Sequence, residues 1–207
     1  MSSALQLTRR GVGRRPAGAA LDALAAAFAT ARVLRLPRLF DADLLALLQR
    51  HLAAAAFTTR IAHGVYPPAV DLKLRDDHLH GVLHFLLNDP AVVATVQHVA
   101  GVPEIGGFVG AVYRLLPGAG HRDSWHDDAD GNRRVALTVN LSEAPFEGGE
   151  FQLREKAGRP LATIANTGPG DGVLFAIDPS LEHCIAPMRG VTPKTALAGW
   201  FCVDPSR

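Results

Sequence analysis

The chain has 207 residues, enough for one domain with a sizeable hydrophobic core. Its 21 Lys and Arg against 20 Asp and Glu leave a formal net charge of +1, which gives no argument for a nucleic-acid partner or a strongly charged one. Hydrophobic residues make up 48%, yet no apolar run is long enough and free enough of charge, Gly and Pro to read as a membrane span, and two cysteines are too few for a disulfide framework.

Residues 1–18 carry Arg9, Arg10, Arg14 and Arg15 among Gly, Ala and Ser. They lack the apolar core of a secretory signal and read as a mobile basic tail ahead of a single domain, 19–207. Residues 19–30 are Ala/Leu-rich and predict a helix. Residues 33–36, before Pro37, read as a short strand. Asp41 is a good N-cap for a helix through Leu44, Leu45, Leu47, Leu48 and Leu52. Residues 57–75 read as irregular, with Pro67 and Pro68 at the centre. A second candidate helix is expected over 76–87, and Pro90 opens a third that ends near Gly101.

From Gly106 the pattern changes from a helical to a strand period. Residues 108–116 form a candidate strand ended by Pro117-Gly118. Residues 134–141 alternate, with Val135, Leu137, Val139 and Leu141 on one face and Ala136, Thr138 and Asn140 on the other. Further strands are expected over 150–154, 161–165, 173–177, 183–186 and 194–203, separated by turns such as Gly148-Gly149 and Pro169-Gly170-Asp171-Gly172. The division is helical support over 19–105 and a strand-rich core over 106–203. The fold class is mainly β with supporting helices: a barrel or two-sheet jelly roll (a double-stranded β-helix), with the N-terminal helices packed on one sheet.

The residue types that carry chemistry lie in this second half. His126 and Asp128 stand at i and i+2, a spacing that puts two side chains on one face of a strand. His183 lies far downstream where another strand is expected. Two imidazoles and a carboxylate on one side of a metal leave its other side open, the arrangement that iron(II) oxygenases use. His121 and Asp123 repeat the spacing, but they follow Pro117–Gly120 closely and read as part of the turn leading to the metal strand; His126 and Asp128 are preferred. Trp125 gives that pair a bulky flank able to exclude water, and Asp127 has the wrong parity for the metal. The remaining histidines fall in helices or loops.

Residues 113–201 resemble the iron- and 2-oxoglutarate-dependent dioxygenases, specifically the prolyl 4-hydroxylase-like catalytic domain. The resemblance runs through Tyr113-Arg114-Leu115-Leu116-Pro117-Gly118, His126-Asp127-Asp128, the segment 134–141 and Glu147-Gly148-Gly149-Glu150. It continues through Pro169-Gly170-Asp171-Gly172-Val173-Leu174-Phe175, His183 and the segment 194–201. It implies a double-stranded β-helix, Fe(II) on His126, Asp128 and His183, 2-oxoglutarate and O2 as co-substrates, and ascorbate as a candidate reductant. It also implies a cation near the start of the last strand for the distal carboxylate of 2-oxoglutarate. Lys194 occupies that position, as a point charge where many relatives carry a bidentate Arg. Ala196 stands where some relatives have a Ser hydroxyl, so another neighbour must share the contact; Tyr113 is a candidate, and Thr138 and Asn140 are candidates for the pocket lining.

The implied reaction is hydroxylation or a related oxidation of a protein side chain or small molecule, with release of succinate and CO2. Asp128 argues against halogenation, because relatives that halogenate lack this carboxylate. The rivals are a cupin-like iron dioxygenase that needs no 2-oxoglutarate and a non-catalytic metal-binding jelly roll. No nucleic acid or membrane partner is expected. Free thiols and the Ala/Arg/Gly-rich composition suggest a bacterial cytoplasm.

Overall fold

The computed structural model describes residues 4–63, 67–165 and 167–206. In chain order the elements are β1 (Gln6–Thr8), β2 (Gly11–Arg14), α1 (Ala19–Ala31), β3 (Val33–Leu36), α2 (Ala42–Ala54), β4 (Phe57–Ala62), β5 (Ala69–Leu74), α3 (Asp77–Leu87) and α4 (Pro90–Ala100). Then come β6 (Gly107–Leu115), β7 (Asp123–His126), β8 (Arg133–Asn140), β9 (Glu147–Gly148), β10 (Phe151–Glu155), β11 (Pro160–Ile164), β12 (Gly172–Ala176), β13 (Leu181–Ile185), β14 (Met188–Arg189) and β15 (Lys194–Cys202).

One large sheet runs β3-β12-β8-β15-β6-β5-β4 and a second runs β11-β10-β13-β7. Together they make a jelly roll. Long antiparallel ladders anchor the first sheet: β15 pairs with β6 from Lys194↔Leu115 to Cys202↔Gly107, and with β8 on its other side. Burial explains the β8 pattern. Val135, Leu137 and Val139 are fully buried, while Ala136 and Thr138 on the other face line a cavity between the sheets. The Phe151 and Phe175 rings, 4.6 Å apart, close the gap between the sheets at one side of that cavity. Gly110 and Gly199 are cross-strand partners, and a Cβ on Gly199 would stand 2.2 Å from the Val109 carbonyl and 2.7 Å from the Phe108 ring; the pair is bare so that this ring can lie across it.

The helices form for local reasons. Asp41 caps α2 by accepting from Leu44 N at 2.8 Å, and Asp76 caps α3 through Leu79 N at 2.9 Å. Pro90 opens α4, which ends at Gly101 in the left-handed region, φ 64°. Leu79, Leu83, Leu86 and Leu87 bury one stripe of α3, which packs on β6, and Asn88 just beyond it exchanges two hydrogen bonds with the Phe108 backbone. That side chain ties the helical layer to the first strand of the β core. No single helix among the described residues is long and apolar enough to cross a membrane.

Two regions differ from the sequence reading. Residues 57–75, expected to be irregular, form the β4–β5 hairpin, which joins the large sheet through Leu72↔Arg114 and Lys73↔Tyr113. The half called helical therefore also supplies three strands. The alternation was masked because the buried position opposite Arg60 is a carboxylate, Asp71, rather than an apolar residue. The second difference is the basic segment. Residues 6–14 form the β1–β2 hairpin, not a mobile tail. Leu7 is completely buried, its N–H reaches Leu39 O at 2.7 Å, and its carbonyl accepts from Asp41 N at 2.9 Å. The arginines that suggested a tail project outward from a strand whose Leu5 and Leu7 face the core. Removing the Leu7 side chain should therefore cost core burial: Leu7→Ala is expected to lower unfolding stability by about 2–4 kcal/mol in a denaturant titration. An unchanged midpoint would mean this segment does not pack.

Candidate metal centre

Strand β7 lies antiparallel to β13, with His126 and His183 as direct cross-strand partners. Cross-strand partners project side by side from one face of a sheet. Here the two imidazole rings stand 4.2 Å apart, centroid to centroid. A register shift follows at once, between His183 and Ile185, where the pairing passes on to Asp123. His126 Nδ1 donates to Ser124 O at 2.6 Å, which makes Nε2, once deprotonated, the nitrogen that faces the cavity to bind a metal. Phe175 and Phe151 pack against His183 at 4.7 and 6.1 Å, walling its ring with apolar surface.

Asp128 completes the group, but not as the spacing alone suggests. Strand β7 stops at His126, and Asp128 lies beyond it with φ 58°, a left-handed conformation that Asp tolerates better than most residues. Its Oδ2 is 3.4 Å from Nε2 of His126 and 3.4 Å from Nε2 of His183. The three candidate donor atoms lie within 4.8 Å of one another. Donors at roughly 2.1 Å from one ion and at right angles stand about 3 Å apart, so small adjustments would seat a metal here. The donor chemistry, two imidazoles and one carboxylate, fits ferrous iron.

Sequence reasoning missed the residues that hold Asp128. Arg133 donates to Oδ1 at 2.6 Å, Trp200 Nε1 donates to Oδ2 at 2.8 Å, and the guanidinium lies 3.9 Å over the indole. Trp200 shares parity with Lys194, Ala196 and Ala198 on β15, which was the signal that it faces inward; nothing in the sequence marked Arg133. Burial opposes ionisation of Asp128, but its contacts with His126 and His183 hold the carboxyl well below the usual range. Burial likewise works against a charged His126, yet Asp128 and Asp123 raise the metal-free imidazole to about 9.

The other candidates separate by environment. Lys194 is buried, at the start of β15. Its Nζ donates to Gly149 O at 2.7 Å, Phe146 covers it at 5.5 Å, and no carboxylate among the described residues lies within ion-pair distance. Burial pushes the ammonium down to about 8. Lys194, Tyr113 and Thr138 line one cavity of about 510 Å³ together with His126, Asp128 and His183. Asn140 does not line it. Its amide donates to Thr167 O at 2.6 Å and accepts from Ser142 N at 2.9 Å, a structural role beside a much smaller pocket behind Lys194. His121 is buried away from the group, accepting from Leu116 N at 3.0 Å. Asp127 is engaged by Lys156, and Arg154 lies 3.8 Å over Trp125, so that indole flanks the strand on its other side. Asp123, placed by its sequence in a turn, instead lines the cavity. Cys184 and Cys202 lie on different sheets and are free thiols.

Comparison with known proteins agrees with this geometry. Residues 110–202 match the family model of the 2OG-Fe(II) oxygenase superfamily. No curated protein matches the chain. Among solved structures, an oxidoreductase of the 2OG-Fe(II) oxygenase family from Burkholderia pseudomallei is similar at 18% identity and TM-score 0.68, covering 96% of both chains. A prolyl-4-hydroxylase from Pseudomonas putida is similar at 18% identity and TM-score 0.58, over 91% of this chain and 97% of that one. The epimerase SnoN from nogalamycin biosynthesis, solved with Fe3+, alpha ketoglutarate and nogalamycin RO, is similar at 18% identity and TM-score 0.59, over 88% of this chain and 84% of that one.

Two outcomes follow for metal binding. Arg133→Gln, which loosens Asp128, should weaken Co(II) or Fe(II) binding by about tenfold or more in an anaerobic calorimetric titration. Because the metal must displace a proton held by His126 up to about pH 9, apparent affinity should rise with pH up to that point and level off above it. A pH-independent affinity would contradict the placement of His126 among the ligands.

Proposed function

We propose, from the premise that residues 110–202 form a domain of the 2OG-Fe(II) oxygenase superfamily, that this oxidoreductase hydroxylates a protein side chain or a small molecule. His126, Asp128 and His183 are assigned as the iron ligands, and Lys194 as the anchor for the distal carboxylate of 2-oxoglutarate. Iron bound there supplies O2 activation coupled to oxidative decarboxylation of 2-oxoglutarate to succinate and CO2.

The chain's own residues do the rest. Arg133 on Oδ1 and Trp200 on Oδ2 fix the orientation of the Asp128 carboxylate, so that Oδ2 is presented toward the imidazoles. Phe151 and Phe175 keep water from one side of His183. The observation that carries the 2-oxoglutarate assignment is Lys194. A buried ammonium with a single carbonyl partner is costly unless an anion joins it, and the cavity it lines leads to the metal ligands. A jelly roll without 2-oxoglutarate would have no use for that cation. Tyr113 and Thr138 flank Ala196 and Ala198 across the neighbouring strands, and are assigned to share the carboxylate in place of the missing Ser hydroxyl. Asn140 is withdrawn from direct contact and supports the loop behind Lys194. Burial lifts the Cys184 thiol to about 11, which keeps it protonated and inert.

Iron-dependent succinate release tests the reading. His126→Ala and His183→Ala should abolish it, whereas Lys194→Ala should mainly raise the 2-oxoglutarate requirement. The lysine also sets a pH dependence. Its ammonium dominates below about 8, so 2-oxoglutarate should bind most tightly there and lose roughly tenfold per pH unit above it. Full turnover in the His183 variant would contradict the ligand assignment, and pH-independent 2-oxoglutarate binding across this window would contradict the role of Lys194.

A further inference from the structure

Among the charged groups that line the cavity, one carboxylate has no ionic partner but a candidate metal ligand. Arg60 is paired bidentately with Asp71, Asp127 with Lys156, and Arg133 with both Asp128 and Asp130. Asp123 also lines the cavity, with 30% of its side chain exposed there, and no described group donates a hydrogen bond to it. Its closest charged neighbour is His126 Nδ1, 3.8 Å from Oδ1, and that N–H is already directed to Ser124 O. Tyr113 and Arg60 stand on the same side, but the guanidinium is spoken for by Asp71 and lies 4.6 Å over the Tyr113 ring.

Charge balance gives this vacancy a sign. On the reading of the site given above, a ferrous ion, Asp128, the 2-oxoglutarate dianion and Lys194 sum to zero. Arg133 with Asp130, Arg60 with Asp71 and Lys156 with Asp127 also cancel. With His126 neutral as a metal ligand, Asp123 remains as one net negative charge in a half-buried cavity, where an uncompensated carboxylate is unfavourable. Its position is informative as well. It stands across the His126 ring from the face that meets Asp128, so a group bound to it would sit one imidazole's width from the metal. Ile185, its cross-strand partner, and Ala69 give the same cavity an apolar wall suited to an aliphatic stem.

We infer that Asp123 is the substrate-specificity residue of this site and that the substrate presents a cationic nitrogen, a guanidinium or ammonium on an aliphatic stem, to its carboxylate. The inference rests on the 2-oxoglutarate oxygenase reading of the same cavity. A charge-assisted hydrogen bond from such a group satisfies Asp123 and neutralises the cavity together. The oxidised carbon then lies within a few bonds of that nitrogen.

The test uses the Co(II)-loaded protein with saturating 2-oxoglutarate, read by the cobalt absorption spectrum without turnover. Butylguanidinium is titrated beside its neutral isostere butylurea, and N-acetylarginine methylamide beside both. Butylguanidinium should perturb the spectrum saturably and bind about tenfold or more tightly than butylurea. In Asp123→Asn that preference should vanish. Tighter binding of the capped arginine than of butylguanidinium supports the inference with an arginine in a peptide chain as source, and the reverse order supports it with a free small molecule. Equal binding of butylurea and butylguanidinium to the wild type overturns the inference even if the variant fails to fold. A cobalt spectrum unmoved by 2-oxoglutarate itself overturns the underlying site reading, and this inference with it.

Discussion

The register of two short strands governs this site. His126 and His183 meet because β7 and β13 pair at that one position, and the irregularity immediately beyond it releases the chain toward Asp123. A one-residue slip of β7 would turn His126 to the opposite face of the sheet and separate it from His183. The neighbouring ladder β10–β13 fixes β13 from its other side, with Leu153 opposite His183. The apolar core thereby sets the alignment of two imidazoles.

Around that pair, the structure manages charge by pairing it. Asp128 is held by a guanidinium and an indole in a backbone conformation that few residues adopt. Such a conformation persists where the surroundings over-determine it. Three further ion pairs ring the cavity; Lys194 meets no carboxylate at ion-pair distance among the described residues, and Asp123 meets only the His126 imidazole. On the proposals above, Lys194 is satisfied by the co-substrate and Asp123 by the substrate.

The β core and the clustering of His126, Asp128 and His183 were legible in the sequence for different reasons. Strands β8 and β15 announce themselves by period-2 alternation and turn residues, and Lys194 keeps inward parity with Trp200. The convergence of His126 with His183 could be expected only from their order along the chain, because register is a tertiary property. Asp128 was identified for a partly mistaken reason: the i, i+2 argument assumed a strand that ends at His126, and a left-handed residue restores the direction that strand parity would have given. Asn140 kept the parity of Thr138 but not its role, because a bend after β8 offers its amide two backbone partners. The β4–β5 hairpin was hidden by Pro67-Pro68 and by a buried salt bridge where an apolar residue is the usual signal. The N-terminal hairpin was hidden because its arginines outnumber the two leucines that dock it.

The central claim is that three side chains from two strands and one turn grip a single ferrous ion while a dicarboxylate spans from it to a buried lysine. Its most direct test is a crystal structure of the protein grown anaerobically with Fe(II) and 2-oxoglutarate. The account expects one iron bonded to Nε2 of His126, Nε2 of His183 and Oδ2 of Asp128, with the far carboxylate of 2-oxoglutarate on Nζ of Lys194. Iron bound elsewhere, or a dicarboxylate that leaves Lys194 facing only the Gly149 carbonyl, would contradict it.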